Sequence, residues 1–181
     1  LDPFPQRGLL QIFIGAGDLY GCDPDNPLKS PGFACIYHED FAGPRLTDFS
    51  FLTLGAKDYL PLEKPLEARA MTFTPGRMTI DPGDYRFETL LPEIASDESL
   101  SEAYFEQRSV PAIRMGGYPT FTQTDPRSYG DPSRYGDFTL LTVDTTDGIM
   151  WGDSGAAQFF MHDADLRRRD FSRVAYNWDC C

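Results

Sequence analysis

The chain contains two stretches that align with each other without a gap, residues 9–21 and residues 140–152. They read LLQIFIGAGDLYG and LLTVDTTDGIMWG, with four identical positions in thirteen. A second pair of stretches, 35–40 over 159–164, continues the alignment after a connection that is seven residues longer in the first copy. An internal repeat constrains the fold strongly, because both copies are expected to form the same local structure. We therefore predict a duplicated strand–turn–strand–loop–strand unit over about residues 8–41 and 138–166.

Short apolar runs rich in β-branched and aromatic residues outnumber helical patterns along the chain. The clearest helical pattern covers residues 96–108, where Ser96 or Asp97 can cap the helix, and Pro111 follows it. A shorter helix is predicted at 163–170. The predicted strands are 9–14, 33–38, 138–143, 148–151, 156–161 and 173–178, with weaker candidates at 49–54 and 67–73. These patterns predict a single α+β domain over residues 1–181, mainly antiparallel sheet with few short helices.

The formal net charge of −12 argues against nucleic acid as a ligand, because phosphate binding needs a basic surface. The same acidity favours a basic protein as the partner. No apolar run reaches the roughly 20 residues that a membrane span requires, so we expect no membrane insertion. The cysteines lack CxxC spacing, which predicts reduced thiols in a cytoplasmic protein, with no metal and no other cofactor. They are Cys22, Cys35, Cys180 and Cys181.

Residues 152–155 spell Gly-Asp-Ser-Gly, the tetrapeptide that surrounds the nucleophile of trypsin-like serine proteases. A nucleophilic Ser154 needs a general base within hydrogen-bond reach and an oxyanion hole. The only histidines, His38 and His162, fall on equivalent positions of the repeat, which favours a structural role for both. Because the tetrapeptide also has the composition of a tight turn, we predict a connecting turn. The enzymatic alternative is a hydrolase centred on Ser154 or on an acidic pair among Asp144, Asp153 and Asp179.

Two groups of residues are candidates for ligand binding. The segment 115–127 has a polar and aromatic mix suited to lining a pocket, and its candidates are Tyr118, Gln123, Asp125 and Arg127. The alternative for this segment is an irregular connection packed by Tyr118 and Phe121. The second group surrounds the two tryptophans and consists of Trp151, Asp153, Ser154, Trp178 and Asp179. For the tryptophans the alternative is burial in the core.

Six strings, in this order, resemble the YwqG-like family of bacterial proteins: GLLQIFIG, DLYGCD, IYHED, GGYPTFTQTDPR, LLTVDTTDGIMWGDSGAAQFF and DLRRRDFSRVAYNWDC. The resemblance runs from Gly8 to Cys181. It implies an intracellular bacterial protein with a sheet-rich α+β fold, and it brings no catalytic residues because the family has none established. Family members usually carry an upstream segment with a strand that leads into the 9–14 strand. We expect that this segment is missing here, which leaves a strand edge open for self-association.

Families of this kind have been proposed as antidotes, or immunity proteins, of bacterial toxin systems. Together with the acidity and the few catalytic candidates, the resemblance favours a non-enzymatic binding protein with a basic partner such as a toxin. Two alternatives stay open at this point. One is a small-molecule or sugar-binding module built on Tyr118, Trp151 and Trp178, and the other is the hydrolase centred on Ser154.

Overall fold

The computed structural model describes residues 2–55 and 58–181. Its regular elements are short and are separated by long irregular connections. The strands are β1 (Leu9–Ile14), β2 (Phe33–His38), β3 (Ile113–Met115), β4 (Phe138–Asp144), β5 (Ala156–Met161) and β6 (Ala175–Asp179). The helices are α1 (Phe87–Leu90), α2 (Pro92–Ala95), α3 (Glu98–Glu106) and α4 (Asp163–Arg168). Single 3₁₀ turns lie at Pro27–Lys29, Pro126–Ser128, Pro132–Arg134 and Phe171–Arg173.

The strands form two antiparallel sheets. β3, β4, β5 and β6 make a four-stranded sheet in that order, and β1 pairs with β2 in a separate hairpin. In the hairpin, Leu9 lies opposite His38 and Ile14 lies opposite Phe33. The prediction of an α+β fold with mainly antiparallel pairing is therefore confirmed.

The inner face of the β1–β2 hairpin packs on one face of the four-stranded sheet. Phe33 of β2 stacks on Phe159 of β5 and on Tyr176 of β6, with ring centroids 5.7 and 5.0 Å apart. Because side chains alternate along a strand, each of these strands supplies every second residue to this core. Phe159 and Tyr176 are almost completely buried, so this contact forms the main apolar core.

The repeat that the sequence predicts corresponds to two hairpins, β1–β2 and β4–β5. The predicted middle strand of each unit is wrong. Residues 18–21 form a turn, and residues 148–151 make only isolated bridges. Backbone with positive φ at Tyr20, Gly21 and Gly148 prevents a continuous extended conformation there. The duplication itself stays a prediction, since two antiparallel hairpins do not require a common origin.

Other elements differ from the sequence patterns in detail. Asp97 caps α3 by accepting a hydrogen bond from the Leu100 N–H, as predicted, and the helix ends at Glu106. The strands proposed at 49–54 and 67–73 are wrong, because the described residues there form turns and coil. These apolar residues face outward and find no neighbouring strand, so local β propensity alone does not produce a sheet. The short strand β3 and the helices α1 and α2 were not predicted.

The edges of the two sheets differ in their neighbours. The 3₁₀ turn at Pro27–Lys29 lies beside β6, and the turn at Phe171–Arg173 lies beside β2. β3 is an edge only three residues long. Among the described residues, β1 pairs with β2 and has no second strand beside it. Because β2 likewise pairs only with β1, each strand of the hairpin leaves an edge of six residues without a neighbouring strand in this part of the chain.

Candidate functional site

The C-terminal end of β6 brings together part of the predicted binding residues. Both oxygens of Asp179 accept hydrogen bonds, and Oδ2 takes two, from the backbone N–H groups of Thr122 and Gln123 at 2.7 Å each. The Gln123 side chain donates from Nε2 to the Cys180 carbonyl oxygen at 2.6 Å. Both predicted residues thus tie the 118–123 segment to the edge of the sheet, and the atoms that would bind a ligand are already engaged.

Beneath this segment, a row of polar side chains crosses the four-stranded sheet. Arg114, Thr142, Gln158 and Asn177 are register partners on successive strands. Gln158 donates from Nε2 to the Thr120 carbonyl oxygen at 2.7 Å and accepts from Asn177 Nδ2 at 2.7 Å. Sequence reasoning missed this row, although a glutamine in the apolar strand AAQFFM is a visible signal of a buried polar contact.

Arg114 anchors the covering segment from below. Its guanidinium donates to the carbonyl oxygens of Pro111 and Tyr118 and to Thr120 Oγ1, at 2.9, 3.2 and 2.8 Å. Burial lowers the pKa of Arg114 to about 10, although the charge of Asp144 opposes that shift. Arg114 thus attaches the segment after β3 to the sheet through the Tyr118 carbonyl oxygen and Thr120 Oγ1.

Two carboxylates flank the small Ala156 in the next row of the sheet. Asp144 and Asp179 are the register partners of Ala156 on its two sides. Burial raises the pKa of Asp144, partly offset by the Thr145 N–H and by the charge of Arg114, while the Asp179 charge adds to the rise. A carboxyl group with a raised pKa is a feature of general acids. The acid pair named from the sequence is therefore near in space, but Asp179 is committed to the 122–123 backbone.

Asp125 and Arg127 lie in a buried ionic network on the same side of the sheet. The Arg127 guanidinium pairs with Asp125 at 2.7 Å and with Asp84 at 3.1 Å, and these three side chains are fully buried. Arg86 joins through Asp84 at 2.6 Å. The Arg127 side chain packs between the rings of Tyr85 and Phe160, 4.7 Å from each centroid.

This network organises the structure between residues 81 and 128. Burial raises the pKa of Asp84, but the hydrogen bonds from Arg86 and the charge of Arg127 outweigh it, so that pKa is lowered overall. Tyr118, the remaining candidate in this segment, lies under the Arg86 guanidinium at 5.3 Å. Phe121 stacks over Phe160, with centroids 6.4 Å apart. These contacts agree with the alternative interpretation of residues 115–127, an irregular connection packed by Tyr118 and Phe121.

The Gly-Asp-Ser-Gly tetrapeptide forms the tight turn that the sequence predicts, between Trp151 and β5. The Gly155 N–H donates to the Trp151 carbonyl oxygen at 2.7 Å. Thr145 Oγ1 braces the turn by donating to the Gly155 carbonyl oxygen at 2.8 Å and accepting from the Trp151 N–H. Asp153 and Ser154 are exposed at its tip, and Ser154 has a φ of 61°. Within residues 2–55 and 58–181, no histidine or carboxylate hydrogen-bonds to Ser154 Oγ.

The two histidines take part in hydrogen bonds near the ends of the hairpins. His38 Nε2 lies 2.8 Å from Gln11 Oε1, across the β1–β2 pair. His162 Nε2 lies 3.0 Å from the Ser133 carbonyl oxygen, and its Nδ1 lies 3.8 Å from Asp137. Both contacts tie neighbouring segments together, in agreement with a structural role.

The tryptophans belong to an aromatic cluster between the two hairpins. Trp151 is only 3% exposed, and its ring lies edge-on to Tyr20, with centroids 5.5 Å apart. Tyr20 also contacts Trp178 at 4.7 Å. Trp178 is half-buried and donates from Nε1 to the Leu19 carbonyl oxygen at 2.8 Å. Burial in the core, the alternative for the tryptophans, is therefore confirmed for Trp151, whose ring is not accessible to a ligand.

An acidic surface covers the helices α1 to α3. Residues 87–107 contain six carboxylates and neither lysine nor arginine. All six carboxylates are exposed: Glu88, Glu93, Asp97, Glu98, Glu102 and Glu106. Three large apolar side chains are also exposed on these helices, Leu90, Leu100 and Phe105, at 54, 51 and 63%. We call this set the acidic helical surface, and we note that half of the net charge of −12 comes from it.

The comparisons with known proteins identify the family of the chain and indicate no activity for it. None of the described helices has the length and apolar character that crossing a bilayer requires. No curated protein matches the chain. A family model described as a domain of unknown function, DUF1963, matches residues 1–180. Because this match covers nearly the whole sequence, the chain belongs to the DUF1963 family.

Proposed function

We propose that the chain is a YwqG-like protein of the bacterial cytoplasm that binds a basic protein without catalysing a reaction. We further propose that this partner is a toxin and that the chain is its antidote. The observation that carries the proposal is the acidic helical surface: residues 87–107 carry six exposed carboxylates and three exposed apolar side chains and contain no lysine or arginine. The guanidinium of the following Arg108 lies over the Phe105 ring, at 5.0 Å, and pairs with Asp81. Opposite charges steer association, and buried apolar anchors supply affinity.

The alternatives from the sequence receive less support from the geometry. A sugar-binding module built on Tyr118, Trp151 and Trp178 needs exposed rings in one cleft, and Trp151 is 3% exposed. A hydrolase needs a base at Ser154, and the histidines are engaged with Gln11 and Ser133 instead. A protein-binding surface requires neither an open aromatic cleft nor a general base at Ser154.

The test is affinity capture from a lysate of the source organism, with the chain immobilised. One variant replaces five carboxylates of the acidic helical surface and keeps Asp97 because it caps α3. Its substitutions are E88Q, E93Q, E98Q, E102Q and E106Q. A control variant removes the same amount of charge at exposed positions elsewhere, with D18N, D25N, E63Q, E67Q and D153N.

We expect a basic protein that the wild type and the control capture and the helical variant does not. Its release should require only moderately raised salt, because exposed charges are screened over about 8 Å at physiological ionic strength. An antidote must also suppress the toxicity of the captured protein at equimolar amounts when the two are expressed together. Capture of no basic protein, or equal capture by all three chains, would contradict the proposal.

A further inference from the structure

Two adjacent cysteines, Cys180 and Cys181, follow directly after β6. Cys180 is half-buried and Cys181 is exposed, whereas Cys22 is buried and Cys35 packs against the main core. Burial raises the pKa of Cys22 to about 11 and that of Cys35 to about 12. Because the thiolate is the reactive form of cysteine, these two thiols are inert at neutral pH. The thiol chemistry of this chain is therefore concentrated at the adjacent pair.

We propose that Cys180 and Cys181 form a redox-sensitive dithiol, which a low-molecular-weight disulfide converts into an intramolecular disulfide. The Cys181 thiolate attacks one sulfur of the small disulfide, which forms a mixed disulfide and releases one small thiolate. The Cys180 thiolate then attacks Cys181 Sγ and displaces the second small thiolate. Two electrons pass to the small disulfide, and the protons of the two cysteine thiols end on the two small thiols that are released. The reaction involves neither the acidic helical surface nor the partner proposed above.

The adjacency of the two cysteines makes the proposed disulfide reversible. Cα atoms of neighbouring residues are about 3.8 Å apart across a trans peptide, whereas disulfides usually join Cα atoms roughly 4.4–6.8 Å apart. Closing the bond therefore distorts the peptide unit between Cys180 and Cys181. Strained disulfides are reduced more easily than structural ones, as is typical of regulatory bonds. The pair is thus suited to responding to oxidation rather than to stabilising the fold.

Cys180 connects the pair to two neighbouring segments. Its carbonyl oxygen, which belongs to the distorted peptide unit, accepts the hydrogen bond from Gln123 Nε2 at 2.6 Å. Its side chain lies against the Gly-Asp-Ser-Gly turn, where a Cβ added at Gly152 would be 2.6 Å from Cys180 Sγ. The Trp178 ring lies beside the same glycine, with Cζ3 3.0 Å from that Cβ position. We therefore expect oxidation to loosen the 118–123 segment and to change the surroundings of Trp178.

The experiment treats the reduced 181-residue chain with oxidised glutathione at about pH 8, near the usual pKa of cysteine, and alkylates the remaining thiols after unfolding. We expect two of the four cysteines to be protected from alkylation. Peptide mapping should place the new bond, with the loss of two hydrogens, between Cys180 and Cys181. The variants C180S and C181S should each stop at a mixed disulfide with one glutathione, because each lacks the second thiol.

Two further measurements test the structural consequence. Tryptophan fluorescence of the wild type should change on oxidation and return after addition of dithiothreitol, whereas the variant C180S/C181S should not respond. Hydrogen exchange of the Thr122 and Gln123 amides, which donate to Asp179, should be faster in the oxidised chain. An unreacted wild type, separate mixed disulfides at both cysteines, or a disulfide between two chains would overturn the proposed dithiol. A disulfide within the pair that leaves fluorescence and exchange unchanged would overturn its coupling to the 118–123 segment.

Discussion

The hairpins β1–β2 and β4–β5 align in sequence but differ in what covers their second face. One face of each packs in the shared apolar core. The second face of β4–β5 lies under the structure formed by residues 81–128, and every residue of β5 is buried. The second face of β1–β2 is bare, with three large apolar residues exposed. Similar strand patterns therefore build an interior sheet in one place and an open surface in the other.

Register also differs between the hairpins. Ile12 pairs with Cys35, whereas the aligned Val143 pairs with Ala157 rather than with the aligned Phe159. The shift amounts to two residues, which preserves the face that each side chain occupies. A β-bulge between Thr139 and Leu141 accompanies it. The comparison teaches that the alternation of faces is retained between the two hairpins while pairing partners are not.

The largest effect is expected from truncating a phenylalanine on the second face of the β4–β5 hairpin, in comparison with one on the second face of the β1–β2 hairpin. Phe160 of β5 is completely buried beneath Arg127 and Phe121. F160A should lower the free energy of unfolding by about 3–5 kcal/mol, as large cavities do. F13A in β1, where the side chain is half exposed, should cost less than about 1 kcal/mol. Urea unfolding at low protein concentration measures both, and equal losses would refute the contrast between the faces.

An intermediate effect is expected from the ionic network that covers β5. D84N removes a charged partner of the buried Arg127 and should cost about 1.5–3 kcal/mol at pH 7. Because the pKa of Asp84 is lowered on folding, its contribution is present above about pH 4 and is lost as the pH falls further. The difference between D84N and the wild type should therefore shrink on acidification.

Urea unfolding of D84N at pH 7 and pH 3 measures this dependence. D18N is the matched control, because Asp18 is exposed and should leave the stability unchanged at both pH values. If D84N lowers the free energy of unfolding equally at both pH values, the charge of the Asp84 carboxylate does not stabilise the packing of residues 81–128 on β5.

The smallest effect is expected at Gly17, in a comparison with the aligned Gly21 and Gly152 in the connections of the two hairpins. Gly21 and Gly152 both have positive φ, 79° and 54°, and an added Cβ on Gly152 would lie 2.6 Å from Cys180 Sγ. G152A should cost about 1–2 kcal/mol, because L-residues are strained in this region. G21A should cost more, because its Cβ would lie 2.1 Å from the backbone carbonyl oxygen of Gly32. G17A has free space around it and should change stability by less than about 0.5 kcal/mol. Thermal unfolding compares all three, and a harmless G152A would contradict the left-handed turn.

Sequence patterns were sufficient where the structure is local. The strands at 9–14, 33–38 and 156–161 and the Asp97 cap follow from hydrophobic runs and capping chemistry. The Gly-Asp-Ser-Gly turn follows in the same way from its composition. The weak strands at 49–54 and 67–73 did not form, because a strand requires a partner, and their apolar side chains instead lie exposed.

The candidate site depended on contacts between distant parts of the chain. Asp125 and Arg127 were identified as pocket residues, but Asp84, more than 40 positions upstream, completes a buried network with them. Arg114 and Gln158 belong to no recognisable sequence motif. Their role in the polar row became visible only from their register partners on neighbouring strands. The acidic helical surface was visible only as a run of charge. Its exposure and its apolar neighbours required the structure.

By itself, the sequence determined the fold class, most strands of the two hairpins, the turn at Ser154 and the strong net negative charge. These properties depend on residues close together in the chain, where periodicity and turn chemistry act directly. Only the tertiary structure decided that one hairpin is covered and the other is bare, and that Asp125, Arg127 and Trp151 are interior residues. Burial depends on which distant segments meet, and the free energy of those contacts is not encoded in any short stretch of the chain.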